Sequence, residues 1–240
     1  MSTTLLRSTA RTETFSDGVM AIAITLLILN VRIDSSYATE HGLLRAMGHE
    51  WPAYLAYLTA FITIAIMWLN HHALFDKIAH LDKSLAWTNL VLLLTVSVLP
   101  FPTAVVADYV RAGGIDAKVA VSAYGLVSMV NGFSWLTAWH HLSRNPQLLN
   151  APFDGAYALL ERRRTAIGVA TYAVATAVAW LAPVLALLLY LAMAVFYAAT
   201  SSGSQTPVRD GPPEPAQTSS NAASSPDGRK RPTHADHSLP

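Results

Sequence analysis

The sequence predicts an all-α polytopic membrane protein: six transmembrane helices per subunit, followed by a disordered C-terminal tail. Three observations carry that expectation. Of 240 residues, 52% are hydrophobic and only 13% charged, against about 25% charged in soluble domains. Six apolar segments approach the roughly 20 residues that a helix needs to cross a bilayer. The last stretch, 201–240, changes to Ser, Pro, Gly, Gln, Asp and Lys and contains no aromatic residue. Such a composition buries too little apolar surface to offset the entropy of ordering.

The segments are 14–33, 51–72, 85–107, 117–139, 163–181 and 183–200. Pro52 and Pro183 suit the first turn of the second and sixth, where a missing N–H does no harm. Pro100 and Pro102 lie near the end of the third and are expected to bend or end it. The last two segments are joined tightly around Leu181-Ala182-Pro183. The chain thus reads as a membrane domain, 1–200, and a cytoplasmic tail, 201–240. The six segments show no internal repeat and look like one copy of one unit.

Charge orients the segments. With the N-terminus inside, Arg7, Arg11, Lys77, Lys83, Arg144, Arg162, Arg163, Arg164, Arg209, Arg229, Lys230 and Arg231 face the cytoplasm. Only Arg32, Arg45, Arg111 and Lys118 face out. The bias survives removal of the four tail residues, so both termini are expected in the cytoplasm. Arg162-Arg163-Arg164 reads as an anchor of this kind. Arg229-Lys230-Arg231 has the form of an anionic-lipid contact, although a solvated tail without a role explains it more simply.

Several function classes fall away. Net charge is +1 with no basic domain, which gives no reason to expect a nucleic-acid partner. The chain has no cysteine, which removes disulfides, thiolate metal sites and a cysteine nucleophile. It lacks a G-x-S-x-G elbow, a Walker loop, an H-E-x-x-H pair and a Thr-Val-Gly-Tyr-Gly filter. An enzyme is not expected, nor is a cofactor. Ala21-Ile22-Ala23 has the form of a signal cleavage site, but it sits inside the first apolar run.

Projection of the first helix at about 100° per residue gathers Gly18, Ile22, Thr25, Leu26 and Leu29 on one stripe. That stripe is small and apolar, with one hydroxyl. Ordinary helix packing through Gly18 and Thr25 also explains it. Arg11, Ser16 and Asp17 precede the apolar run, and Asp17 points away from Ile22. The second segment ends Trp68-Leu69-Asn70-His71-His72, which the charge rule puts at the same end. Arg11, Ser16, Asp17, Asn70 and His71 are therefore candidates for one buried hydrogen-bond network. Proton sensing by histidine is a second reading. Joint metal ligation by His71 and His72 is a third, disfavoured because helical neighbours diverge and no third ligand stands nearby. His140 and His141 repeat the dyad beside Trp135 and Trp139, where an interfacial aromatic belt is the default explanation.

Arg11-x-x-x-Phe15-Ser16-Asp17-Gly18, followed by Ala21-Ile22-x-x-Thr25-Leu26-Leu27, resembles the first-helix signature of the transmembrane-protein-175 family. These are lysosomal potassium channels and their bacterial relatives. Trp68-x-Asn70-His71-His72, Asn89 and Leu99-Pro100-Phe101-Pro102-Thr103 extend the resemblance, which covers roughly residues 7–200. It implies six helices per subunit and a homotetramer around a central pore lined by the first helix. It further implies a constriction at Ile22, Leu26 and Leu29, with Thr25 supplying a hydroxyl layer. Arg11, Phe15, Ser16, Asp17, Gly18, Trp68, Asn70 and His71 are then structural, bracing the pore helix. Relatives carry a carboxylate near the position of Asn30, where this chain has Asn30-Val31-Arg32 and, close by, Asp34.

The expected function is a potassium-permeable channel of the bacterial cell membrane, with potassium as the permeant ion and lipid and further copies of the chain as partners. The alternative is a proton-coupled secondary transporter using Asp17 and His71. Against it, neither broken helices nor inverted repeats are evident.

Overall fold

A computed structural model describes residues 9–151 and 153–201. The predicted disordered tail, apart from Ser201, lies outside the described residues, as do Arg7, Arg209, Arg229, Lys230 and Arg231.

The helices follow the predicted segments. Helix α1 spans Thr9–Leu26 and tightens into a 3-10 turn over Leu27–Asn30. Two short helices, α2 (Ser35–His41) and α3 (Leu43–His49), fill the connection between the first and second predicted segments. Then come α4 (Trp51–Phe75), α5 (Lys83–Val98), α6 (Pro100–Tyr109), α7 (Gly114–Arg144), α8 (Gly155–Ala179) and α9 (Pro183–Ser201).

Local chemistry sets the boundaries. Asp34, Asp82 and Asp154 cap α2, α5 and α8 by accepting from backbone N–H groups two or three residues on. Pro52, Pro100 and Pro183 occupy first turns. Pro100 divides the third apolar segment into α5 and α6, as its ring and missing N–H require. Gly113 and Gly114 take φ of 72° and 65°, a conformation open to residues without a Cβ, and turn the chain into α7.

By length and composition, four stretches among the described residues suffice to cross a bilayer: Thr9–Asn30, Trp51–Phe75, Lys83–Tyr109 and Gly114–Arg144. Helix α4, at 25 residues, is about 37 Å long, against a hydrocarbon core of about 30 Å. Helix α8 is as long but carries Glu161-Arg162-Arg163-Arg164 within its N-terminal half, and α9 is a shorter apolar helix.

Helix α4 packs against α1, α6 and α9, and α7 against α5, α6, α8 and α9. Ala53, Ala56 and Ala60 are buried on α4, and small side chains let helix axes approach closely. Helix pairs alternate in direction. The start of α1, the end of α4, the starts of α5 and α8 and the ends of α7 and α9 therefore share one end of the bundle, linked by His72–Glu13, His141–Asp82 and Tyr197–Arg164 contacts.

Candidate functional site

Helix α1 has two unlike faces. Met20, Ala23 and Leu27 are buried in the core, as is Ser16. On the other side Phe15, Gly18, Ile22, Thr25, Leu26 and Leu29 are all exposed, Ile22 to 61% and Leu29 to 58%. The stripe predicted from the helical projection is thus not packed within the chain, which sets aside intrachain packing as its explanation. Leu29 belongs to the 3-10 turn rather than to the α-helix, yet keeps the same exposed side. Thr25 donates its hydroxyl proton to the carbonyl of Ile22 at 2.9 Å, leaving lone pairs of its oxygen outward.

The polar residues hold the opposite side through two separate sets of bonds. In the first, Trp68 donates its indole N–H to Asp17 Oδ1 at 2.9 Å, and His72 Nδ1 stands 3.0 Å from Glu13 Oε1. Glu13 and Asp17 are one turn apart on α1; Trp68 and His72 are one turn apart on α4 and stack at 5.9 Å. Antiparallel helices make these two rungs of one ladder.

The second set ties α1 to α5. His71 Nε2 donates to Asn89 Oδ1 at 2.8 Å. Asn89 Nδ2 donates to Ser16 Oγ at 3.1 Å, and Ser16 Oγ donates to the Thr12 carbonyl at 2.8 Å. His71 is fully buried, stacked on Phe75 at 4.4 Å, and its Nδ1 has no hydrogen-bond partner among the described residues.

The single network expected from the sequence therefore becomes two. Ser16 and His71 are joined through Asn89, a residue quoted in the motif but not placed in the network. Asp17 pairs with Trp68 rather than with Arg11. Arg11 is exposed and has no hydrogen bond or ion pair among the described residues, because its position on α1 faces away from α4 and α5. Phe15 and Gly18 lie on the exposed face, and Asn70 lines a cavity between α4 and α7–α9.

The histidine dyads also separate. His72, Glu13 and Asp76 bring one nitrogen or oxygen atom each within 4.8 Å of one another, a spacing that exposed acidic groups commonly show without a metal. His71 points elsewhere and cannot share a metal with His72. Trp135 and Trp139 are buried at 8% and 6% exposure and so do not form an interfacial belt. His141 instead bonds Asp82 at 2.6 Å, and Arg162 donates to His140 at 2.9 Å.

At the far end of α1, Asn30 Nδ2 donates to the Pro100 carbonyl at 3.1 Å and fixes the 3-10 turn to α6. Asp34, the nearby carboxylate, accepts from the Ser36 hydroxyl and from the backbone N–H groups of Tyr37 and Ser36. Those bonds, the Ser36 hydroxyl first, hold its pKa below the ordinary carboxylate value, so Asp34 is an anion at neutral pH.

A bundle of apolar helices with one helix braced on its inner side and bare on the other is the architecture of a membrane channel subunit. It aligns with the crystal structure of a lysosomal potassium-selective channel TMEM175 homologue from Chamaesiphon minutus. The TM-score is 0.72 at 32% identity, over 80% of this chain and 97% of that one. The profile of the family described as endosomal/lysosomal potassium channel TMEM175 matches residues 11–100. A potassium channel of Streptomyces collinus is 36% identical over 80% of this chain and 92% of its own length. The chain belongs to the TMEM175 family. The chicken endosomal/lysosomal proton channel TMEM175 is 35% identical over 42% of this chain, which spans 22% of that longer protein.

Proposed function

We propose that this chain is one subunit of a homotetrameric, potassium-permeable channel of the bacterial cell membrane. Six helices cross the bilayer in each subunit: α1, α4, the α5–α6 pair, α7, α8 and α9. The excess of Lys and Arg at the end shared by the start of α1 and the close of α4 puts both termini in the cytoplasm. Four copies of α1 line the axis, so Ile22, Leu26 and Leu29 become rings that set the radius and gate by dewetting. The Thr25 hydroxyl oxygens then supply contacts for an ion that has shed water.

The observation that carries this reading is the bare face of α1. A helix bonded to α4 and α5 on one side and exposing Ile22, Thr25 and Leu29 on the other leaves that face for lipid or for another copy of the chain. Closed rotational symmetry supplies one by bringing identical faces to a shared axis. The crystallised relative and the Streptomyces protein are both named as potassium channels, which favours potassium as the permeant ion.

Flux from liposomes holding the purified protein tests the reading. Potassium efflux down its gradient, with sodium efflux slower, supports it; a protein-free rate for both ions overturns it. Proton permeation is the second reading, favoured by the name of the chicken relative, and a pH-sensitive dye in the same liposomes separates the two. A proton-coupled transporter relaying through Asp17 and His71 has less support, because those side chains bond to Trp68 and Asn89 rather than to each other.

A further inference from the structure

Lys77 has no carboxylate partner among the described residues. It follows α4 at the end of the bundle shared with Glu13, and at 9% exposure it is buried. Its ammonium donates to the Ala73 carbonyl at 2.8 Å and lies 5.4 and 5.8 Å from the ring centres of Phe153 and Tyr157. A buried charge is costly unless paired, and a carbonyl and two rings return only part of its hydration.

This ammonium borders a half-open cavity of about 170 Å³ lined by α4, α7, α8 and α9. Arg164 also borders it, beside Glu161, with which it pairs at 3.1 Å. Two cations and one carboxylate leave one positive charge unmatched. The cavity runs along α4 from Leu74, just before Lys77, back to Thr63, about 17 Å of helix. Away from the cations its wall is mostly apolar and aromatic, with Ile66, Trp135 and Val169, and Asn70, Ser128 and Asn131 also line it. A site with a cationic end and a long apolar body matches an amphiphile with one anionic group.

We propose that this cavity binds an acidic phospholipid from the leaflet that meets the C-terminal end of α4. The headgroup phosphate accepts from Lys77 and Arg164, and one acyl chain follows the apolar wall toward Thr63. Positive residues at a membrane face commonly attract acidic lipid diffusely; here the cation is directed into a cavity, which makes the interaction a site. The proposal concerns lipid binding alone and does not depend on which ion the protein conducts.

The test is native mass spectrometry of the full chain released from mixed micelles containing phosphatidylglycerol and phosphatidylcholine in equal amounts. Phosphatidylglycerol should be retained preferentially. Lys77→Gln should reduce that preference about tenfold, the size expected for one hydrogen bond to a charged group. Lys77→Arg should keep most of it, separating charge from packing, and Arg163→Gln, an exposed neighbour, should leave it unchanged. Should Lys77→Gln fail to assemble, the Lys77→Arg and wild-type proteins still decide the matter, because equal retention of both lipids by both proteins overturns the site. Equal loss in Lys77→Gln and Arg163→Gln overturns it in favour of diffuse attraction. Thermal stabilisation by inorganic phosphate alone, abolished by Lys77→Gln, overturns the lipid assignment and makes a free phosphate the ligand.

Discussion

Trp68 donates its indole N–H to Asp17 at 2.9 Å, and one helical turn further His72 meets Glu13 at 3.0 Å. The carboxylate in the Phe-Ser-Asp motif thus joins α1 to α4 by a charge-assisted bond, with no cation involved. Bonds of this kind contribute about 1.5–3 kcal/mol. Trp68→Phe, which keeps an aromatic ring and removes the donor, should lower the thermal unfolding midpoint in detergent. Asp17→Asn should lower it similarly, and the double variant by clearly less than the sum. Additive losses would show the two side chains to be energetically independent.

The Ser16–Asn89–His71 chain is the buried counterpart of that ladder. Asn89→Leu strips a partner from both Ser16 Oγ and His71 Nε2. Each buried group left unsatisfied costs about 1–3 kcal/mol. His72→Gln alters a half-exposed pair, for which about 0–1 kcal/mol is expected. The Asn89 variant should therefore lose oligomer yield and thermal stability well beyond the His72 variant. Equal losses would mean that burial does not govern this motif.

Much of this architecture was legible in the sequence. Six apolar runs, the helix-starting Pro52 and Pro183 and the helical projection of α1 place the long helices and single out the face bearing Ile22, Thr25 and Leu29. Side-chain pairing was less legible. Arg11 and Asp17 were expected in one network with Ser16, Asn70 and His71. The rotation of α1 turns Asp17 toward Trp68 and Arg11 toward solvent. Asn89 lies 73 residues from Ser16, and only the crossing of α1 and α5 reveals that contact. Trp135 and Trp139 follow the same rule: periodicity places them near a membrane interface, but the packing of α7 on α8 decides that they are buried.

Close packing between α7, α8 and α9 converges on Gly125. A Cβ there would collide with Thr176 Oγ1 and Tyr190 Oη, which bond each other at 2.9 Å. Overpacking typically costs about 1–3 kcal/mol. Gly125→Val should lower thermal stability, while Gly18→Ala, where a Cβ meets nothing within 4 Å in the single chain, should leave the stability of the subunit fold unchanged. A Gly125→Val protein as stable as the parent would require α8 and α9 to move apart freely.

Asp34 stands near the end of α1 opposite to Glu13, where its pKa is held down by the Ser36 hydroxyl and two backbone N–H groups. The sign is definite: a lowered pKa keeps the carboxylate charged through the usual carboxylate range and neutralises it only at lower pH. If the proposed pore opens beside it, Asp34→Asn should reduce potassium flux at low salt. The effect should fade as ionic strength rises and the screening length falls to about 8 Å at 0.15 M. A salt-independent change would place Asp34 away from the ion path.

The central claim is that the bare face of α1 forms the wall of the ion path. Potassium and sodium flux through the Ile22→Asn protein, reconstituted after its oligomeric mass has been matched to the parent, tests it most directly. Ile167→Asn on α8, similarly exposed in the single chain, is the control. An amide at Ile22 should hydrate the constriction, raise potassium flux and narrow the difference between the two ions, with the Ile167 variant unchanged. Parental flux and parental discrimination in the Ile22→Asn assembly would contradict the claim and put the ion path elsewhere in the molecule.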